Sequence, residues 1–206
     1  MRKIAFSFIV LLINIAGVSG HDPTSSTTVD NLKAAYIDES TASKKYADYA
    51  KKAAEEGFNN IARLFQATSM AESIHASNHK TALEKNGETI AAPKIGSYEI
   101  KSTAENLEDA IKGENYEVEV MYADFIKTAV KENFNSAITT LTWASDTEKK
   151  HLDFYKKALA ALQSSNEKSL SEKYFVCPKC GNTFDAGNVE NPCSFCMTGK
   201  SKFISF

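Results

Sequence analysis

From Asn31 to Gln163 apolar and polar positions alternate every three to four residues, and few Pro or Gly break the pattern. Four long amphipathic helices follow from it. Their inward stripes pass through Leu32, Tyr36, Glu39, Ser43 and Tyr46; then Ile61, Thr68, Glu72, His75, His79 and Leu83. The third stripe carries Leu107, Glu114, Glu117, Met121 and Phe125, and the fourth Leu141, Glu148, His151, Tyr155 and Leu159. Every stripe has a glutamate near its middle.

Two stretches are versions of one another. "YADYAKKAAEEGFNNIARLFQATSMAESIH" from Tyr46 aligns without a gap on "YADFIKTAVKENFNSAITTLTWASDTEKKH" from Tyr122, at an offset of 76 residues. Each copy reads as helix, tight turn, helix, with Gly57 and Asn133 at the turns, where a left-handed backbone is cheapest for those residues. The link from Gly87 to Lys101 is longer and contains Pro93 and Gly96, which suits an overhand crossover between helices two and three. Ser102 and Glu105 form a capping box that opens the third helix. The pattern therefore predicts an all-α, ferritin-like four-helix bundle.

The repeat has one irregularity. Glu39 lies seven residues before Tyr46, but Glu114 lies eight before Tyr122. One extra residue turns a side chain by about 100° on an ideal helix. A single π-bulge between Ile111 and Met121 would restore Glu114 to the stripe, and none is needed around Glu39.

The glutamates then acquire a chemical reason. Converging buried carboxylates repel one another unless cations neutralise them. A Glu from each of two helices with a Glu-x-x-His from each of the other two is the di-iron carboxylate pattern of four-helix bundles. Glu39 and Glu114 supply the first kind, Glu72/His75 and Glu148/His151 the second, and Glu117 is an additional carboxylate.

Beyond the polar stretch "QSSNEKSLSE" all four cysteines appear, as Cys177-x2-Cys180 and Cys193-x2-Cys196. Paired CxxC knuckles predict a tetrahedral four-thiolate metal site, with two disulfides as the alternative in an exported chain. Spacing alone leaves iron and zinc open. So short a segment has little core, and metal would supply most of its folding energy.

Composition adds location. Arg2 and Lys3 precede the apolar run Ile4–Val18 and the small residues "GVSG", the order of a secretory signal with cleavage after Gly20. The run is short for a membrane span and contains Asn14. The net charge of −2 leaves no basic surplus for phosphates, so nucleic acid is not an expected partner. The expected organisation is a signal at 1–20, a disordered tail at 21–30, the bundle at 31–163, a linker at 164–173 and a four-cysteine module at 174–206.

The stretches "ESTASKKYADYAKKAAEEGF" and "ENLEDAIKGENYEVEVMYADF", both ExxH motifs and the cysteine module resemble those of rubrerythrins. The resemblance implies a di-iron bundle followed by a rubredoxin-like domain with one iron, and a peroxidase that reduces hydrogen peroxide to water. It implies di-iron ligands at Glu39, Glu72, His75, Glu114, Glu117, Glu148 and His151, with one iron shifting between His75 and Glu117. Tyr46 and Tyr122 match tyrosines beside that site. Cys177, Cys180, Cys193 and Cys196 would hold the relay iron, with zinc the alternative. Homodimers that bring one chain's thiolate iron near the other's di-iron site are also implied, as is a redox donor protein.

Two features depart from the family. Export, to the periplasm, separates the protein from NAD(P)H-dependent reductases and leaves the donor unknown. "NPCSFC" replaces a proline-containing second knuckle, which is expected to alter hydrogen bonding around sulfur. The competing expectation is a ferroxidase or iron-handling bundle with a structural zinc ribbon.

Overall fold

A computed structural model describes residues 27–206. The predicted signal and the tail as far as residue 26 lie outside the described residues.

Helix α1 (Thr28–Glu55) begins inside the segment expected to be a disordered tail. The reason is local. Thr27 accepts from the Asp30 N–H at 3.1 Å while Asp30 accepts from the Thr27 N–H at 3.3 Å, a complete capping box. The carboxylate of Glu132 also accepts from the Thr28 N–H at 3.0 Å, and Val29 packs against the core.

A turn through Gly57, at φ 85°, leads into α2 (Asn59–Lys85). After the crossover, α3 (Thr103–Tyr116) starts from the Ser102–Glu105 capping box. It passes through a π-helical turn, Glu117–Met121, into α4 (Tyr122–Lys131), so the three segments form one interrupted helix. Asn133, at φ 57°, makes the second tight turn, and α5 (Asn135–Gln163) completes the bundle. The π turn falls in the interval predicted from the one-residue offset, whereas α1 runs as α-helix past Glu39.

Two apolar clusters occupy opposite ends. One contains Tyr46, Tyr49, Phe65 and Tyr155, and the other Leu32, Leu83, Tyr122 and Leu141. Burying such side chains contributes about 1.5–3 kcal/mol each, which offsets the cost of a polar layer between the clusters. That layer holds the stripe glutamates and histidines. Among the described residues, no helix is long and apolar enough to cross a membrane.

The stretch expected to be a linker is partly structured. It forms a 3-10 turn, Glu167–Ser169, whose Glu167 carboxylate accepts from the Asn60 N–H at 2.6 Å at the start of α2. Strands β1 (Tyr174–Val176), β2 (Thr183–Asp185) and β3 (Ile204–Ser205) then form a small antiparallel sheet in the order β2-β1-β3. The module packs on α2 and α5 of its own bundle.

Candidate metal centre

The bundle layer places six of the predicted ligands in two overlapping groups. Glu39, Glu72, His75 and Glu148 make one, and Glu72, Glu114, Glu148 and His151 the other. Within each group the candidate ligand atoms lie within 4.8 Å of one another. His75 Nδ1 is 3.0 Å from Glu72, 2.9 Å from Glu148 and 3.6 Å from Glu39. His151 Nδ1 is 2.7 Å from Glu148, 3.1 Å from Glu72 and 3.9 Å from Glu114. Glu72 and Glu148 each turn one oxygen to each histidine, so they stand between two positions. Glu39 and Glu114 end the row.

These groups fit cations. Oxygens of Glu39, Glu72, Glu114 and Glu148 and Nδ1 of His151 are buried without a hydrogen-bond partner. Buried polar atoms are seldom left so, and here they point at one another. Burial, then repulsion from Glu148, raises the Glu72 carboxyl to about 7. Burial and the charges of Glu148 and Glu72 push Glu114 well above the carboxylate range. Burial alone would lower both histidines, but Glu148 and Glu39 around His75, and Glu72 and Glu148 around His151, hold them well above the ordinary value. The layer thus retains protons in place of positive charge, and a pair of divalent ions supplies that charge without them.

Glu117, on the π turn, is buried but belongs to neither group. Burial and repulsion from Glu114, Glu39 and Glu148 raise its pKa well above the usual range.

The two predicted tyrosines cross over between the repeats. Tyr46 donates to Glu114 at 2.7 Å, and Tyr122 donates to Glu39. Burial, with Glu114 beside Tyr46 and Glu39 beside Tyr122, raises both phenols, so they remain proton donors.

In the module the thiols form a cage. Cys177 and Cys196 Sγ are 3.4 Å apart and Cys180 and Cys193 Sγ 3.6 Å apart, with no disulfide. A tetrahedral site with bonds of about 2.3 Å has edges of about 3.8 Å, close to these values, whereas a disulfide needs about 2.05 Å. The Cys177 thiol is lowered to about 4 by hydrogen bonding from Cys180 and by backbone N–H groups, against the effect of burial. The Ser194 N–H, freed by the absence of proline, donates to Glu190 at 2.9 Å rather than to a sulfur.

Several residues at this site escaped the sequence reading. Thr183 donates to the Gly181 carbonyl at 3.0 Å, so its oxygen accepts from His151 Nε2 at 2.9 Å. That bond places the His151 proton on Nε2 and leaves Nδ1 free for metal. Gly181, at φ 81°, lies against His75, where a Cβ would come 2.2 Å from Nε2. Lys150 donates to Asn182 at 2.7 Å, and Asn182 donates to Cys193 Sγ at 3.5 Å. His79 lies beside Tyr122, with Nε2 3.2 Å from its hydroxyl. Burial lowers its pKa, which keeps it neutral. Its place on the second stripe was the one available signal; the others depend on how the module docks.

The chain matches the rubrerythrin family profile over residues 30–159. It is 32% identical over 182 residues to rubrerythrin-2 of Clostridium acetobutylicum, covering 87% of this chain and 96% of that relative. It is 33% identical over 187 residues to nigerythrin of Nitratidesulfovibrio vulgaris, covering 87% of each. A solved structure of nigerythrin in its fully reduced, all-ferrous state superposes with a TM-score of 0.80 at 29% identity, covering 98% of this chain and 100% of that one.

Proposed function

The chain belongs to the rubrerythrin family, and we propose that it is a peroxidase that reduces hydrogen peroxide to water, with electrons relayed through its four-cysteine iron. Members of the family bind two irons in the bundle and one at the four cysteines, and the donor sets of this chain fit both.

One observation carries the reading. The four-cysteine module touches both metal-facing histidines, through Gly181 at His75 and Thr183 at His151. Iron storage requires no such contact, but an electron relay does.

The residues divide the work. Glu72 and Glu148, which face both histidines, would help hold both irons, with Glu39 and His75 completing one set and Glu114 and His151 the other. Bound iron would supply one electron from each of two adjacent ions, the two electrons that O–O cleavage consumes. Tyr46 and Tyr122 hold the terminal carboxylates by hydrogen bonds and keep protons within reach. The enclosing apolar clusters exclude bulk water. His151 is fixed by Thr183, whereas His75 Nε2 finds no partner among the described residues. His75 thus lacks the hydrogen bond that fixes His151, which suits the family-implied exchange of one iron between His75 and Glu117.

The wider setting follows the same reading. The basic, apolar and small-residue order of residues 1–20 supports export to the periplasm, where a one-electron carrier protein would be the donor. The working unit would be a homodimer, but the relay this chain supports runs within one chain, because the module packs on its own bundle rather than reaching a partner's as the resemblance implied. Intact mass of protein from the envelope fraction should correspond to a chain beginning near His21; a full-length cytosolic product would remove the export proposal.

The catalytic proposal is tested on full-length, iron-loaded protein reduced without oxygen and mixed with peroxide. Cys180→Ser should keep the single-turnover rate near wild type and lose steady-state turnover with a reducing partner. Glu148→Ala should lose single turnover and keep the ferric four-thiolate spectrum. If Cys180→Ser sustains wild-type turnover, the module is structural, as the iron-handling alternative requires.

A further inference from the structure

We propose that Thr140 and His79 form a proton path from solvent to the buried site, entering through Tyr122 on one half of the bundle only. The internal repeat provides the comparison. At the offset of 76 residues, His79 occupies the place of Tyr155. Each packs on the tyrosine of its half: Tyr155 on Tyr46, with ring centres 5.5 Å apart, and His79 on Tyr122, at 6.1 Å.

Their outward connections differ. The Tyr155 hydroxyl meets Thr68 Oγ1 at 2.6 Å, and Thr68 donates to the Phe65 carbonyl at 3.2 Å. Thr68 is fully buried, so that chain ends inside the core. His79 instead has Thr140 Oγ1 3.2 Å from its Nδ1. Thr140 opens onto a cleft of about 240 Å³ between α2 and α5, lined also by Asn78, Lys85 and Trp143.

The hydrogen bonds have a direction. The Tyr122 hydroxyl donates to Glu39, so its oxygen accepts from His79 Nε2–H. Nδ1 then carries the lone pair and accepts the Thr140 hydroxyl proton. The row Thr140, His79, Tyr122, Glu39 therefore points inward at every link. A neutral imidazole can take a proton at one nitrogen as it releases another from the second, so no charge appears in the core. Thr140 is refilled by cleft water, and rotation of the hydroxyls together with a turn of the imidazole ring resets the row.

The use of the path rests on the peroxidase reading. Reduction of hydrogen peroxide takes two electrons, supplied by the one-electron donor protein, and two protons; the O–O bond breaks and two waters form. The path delivers the protons one at a time to Glu39, which passes each on to a peroxide oxygen and is left as the carboxylate again. His79 and Thr140 act through Tyr122 and Glu39, and neither is placed as a metal ligand.

The experiment uses full-length protein and two readouts. Thr140→Val and His79→Leu should each slow single-turnover oxidation of the iron-loaded, pre-reduced protein by peroxide about tenfold or more, with an enlarged solvent deuterium effect. Thr140→Ser should restore the rate, and Thr139→Val, on the exposed side, should match wild type. In the zinc-loaded protein, solvent exchange of the His79 Nε2–H, followed by nitrogen-15 NMR, should slow about tenfold or more in Thr140→Val. Wild-type oxidation and exchange rates in Thr140→Val would overturn the path. If wild-type protein fails to react with peroxide while Thr140→Val still slows exchange, the path stands and the substrate reading falls.

Discussion

The hydroxyl oxygen of Thr183 accepts a hydrogen bond from His151 Nε2 at 2.9 Å, tying the four-cysteine module to a metal-facing side chain of the bundle. The bond sets the imidazole tautomer and shortens the covalent and hydrogen-bonded route between the two sites.

Thr183→Val keeps the shape and removes the acceptor. Loss of such an outer partner typically costs about 10–100-fold in metal affinity. We expect a loss of that order for the second bundle iron, read by competition with a chelator, while the ferric four-thiolate spectrum is unchanged. Wild-type iron affinity would show that the bond does not hold His151 in place.

Gly181→Ala addresses the other contact. Its new Cβ would fall 2.2 Å from His75 Nε2 and 3.2 Å from the Ala71 carbonyl, and φ is 81° at this position. His75 and the α2 backbone at Ala71 leave no room for it, so the module should separate from α2. Limited proteolysis should then cut residues 164–173 faster than in wild type. An unchanged cleavage rate would mean that the close approach at Gly181 is not needed for docking.

The carboxylates and histidines that the structure gathers in the bundle were legible because their motifs repeat. A gapless offset marked both ExxH pairs, and the one-residue discrepancy before Tyr122 marked the π turn that the structure places at Glu117–Met121. Thr183, Gly181 and Lys150 were not legible, because their roles arise from packing of a β-rich module on two distant helices. The helical start at Thr28 was missed for a different reason: apolar periodicity begins at Leu32, but a Thr27–Asp30 cap fixes the helix a turn earlier.

Metal removal should make stability depend on pH in a defined direction. Burial and Glu148 raise the Glu72 carboxyl from its ordinary 4.5 to about 7. The folded state then keeps a proton that the unfolded chain releases, so stability falls as pH rises from about 4.5 to about 7. The raised histidines act in the same direction, since their contribution is lost as they deprotonate. Thermal unfolding of metal-free protein should therefore shift to lower temperature between pH 5 and pH 8. Iron-loaded protein should show a smaller change, because metal replaces the retained protons. A metal-free protein that gains stability over that interval would contradict the assigned proton distribution.

The two cysteine knuckles allow a matched comparison within one molecule. In the first, the Gly181 N–H donates to the Cys177 carbonyl at 3.0 Å, and in the second the Met197 N–H donates to the Cys193 carbonyl at 2.9 Å. Gly181 takes φ 81° and Met197 φ 63°, so a side chain occupies a left-handed position in the second turn that glycine occupies in the first. That conformation costs a non-glycine residue about 1–2 kcal/mol. The Met197 side chain is 72% exposed and makes little packing to offset the cost. Met197→Gly removes the strain but loosens the unfolded chain, which returns about 0.5–1 kcal/mol. The net gain should lie between about 0 and about 1.5 kcal/mol, seen as slower release of iron from the four-cysteine site to a chelator. Faster release would mean that the methionine side chain shields the partly exposed Cys196 thiolate more than its backbone strains the turn.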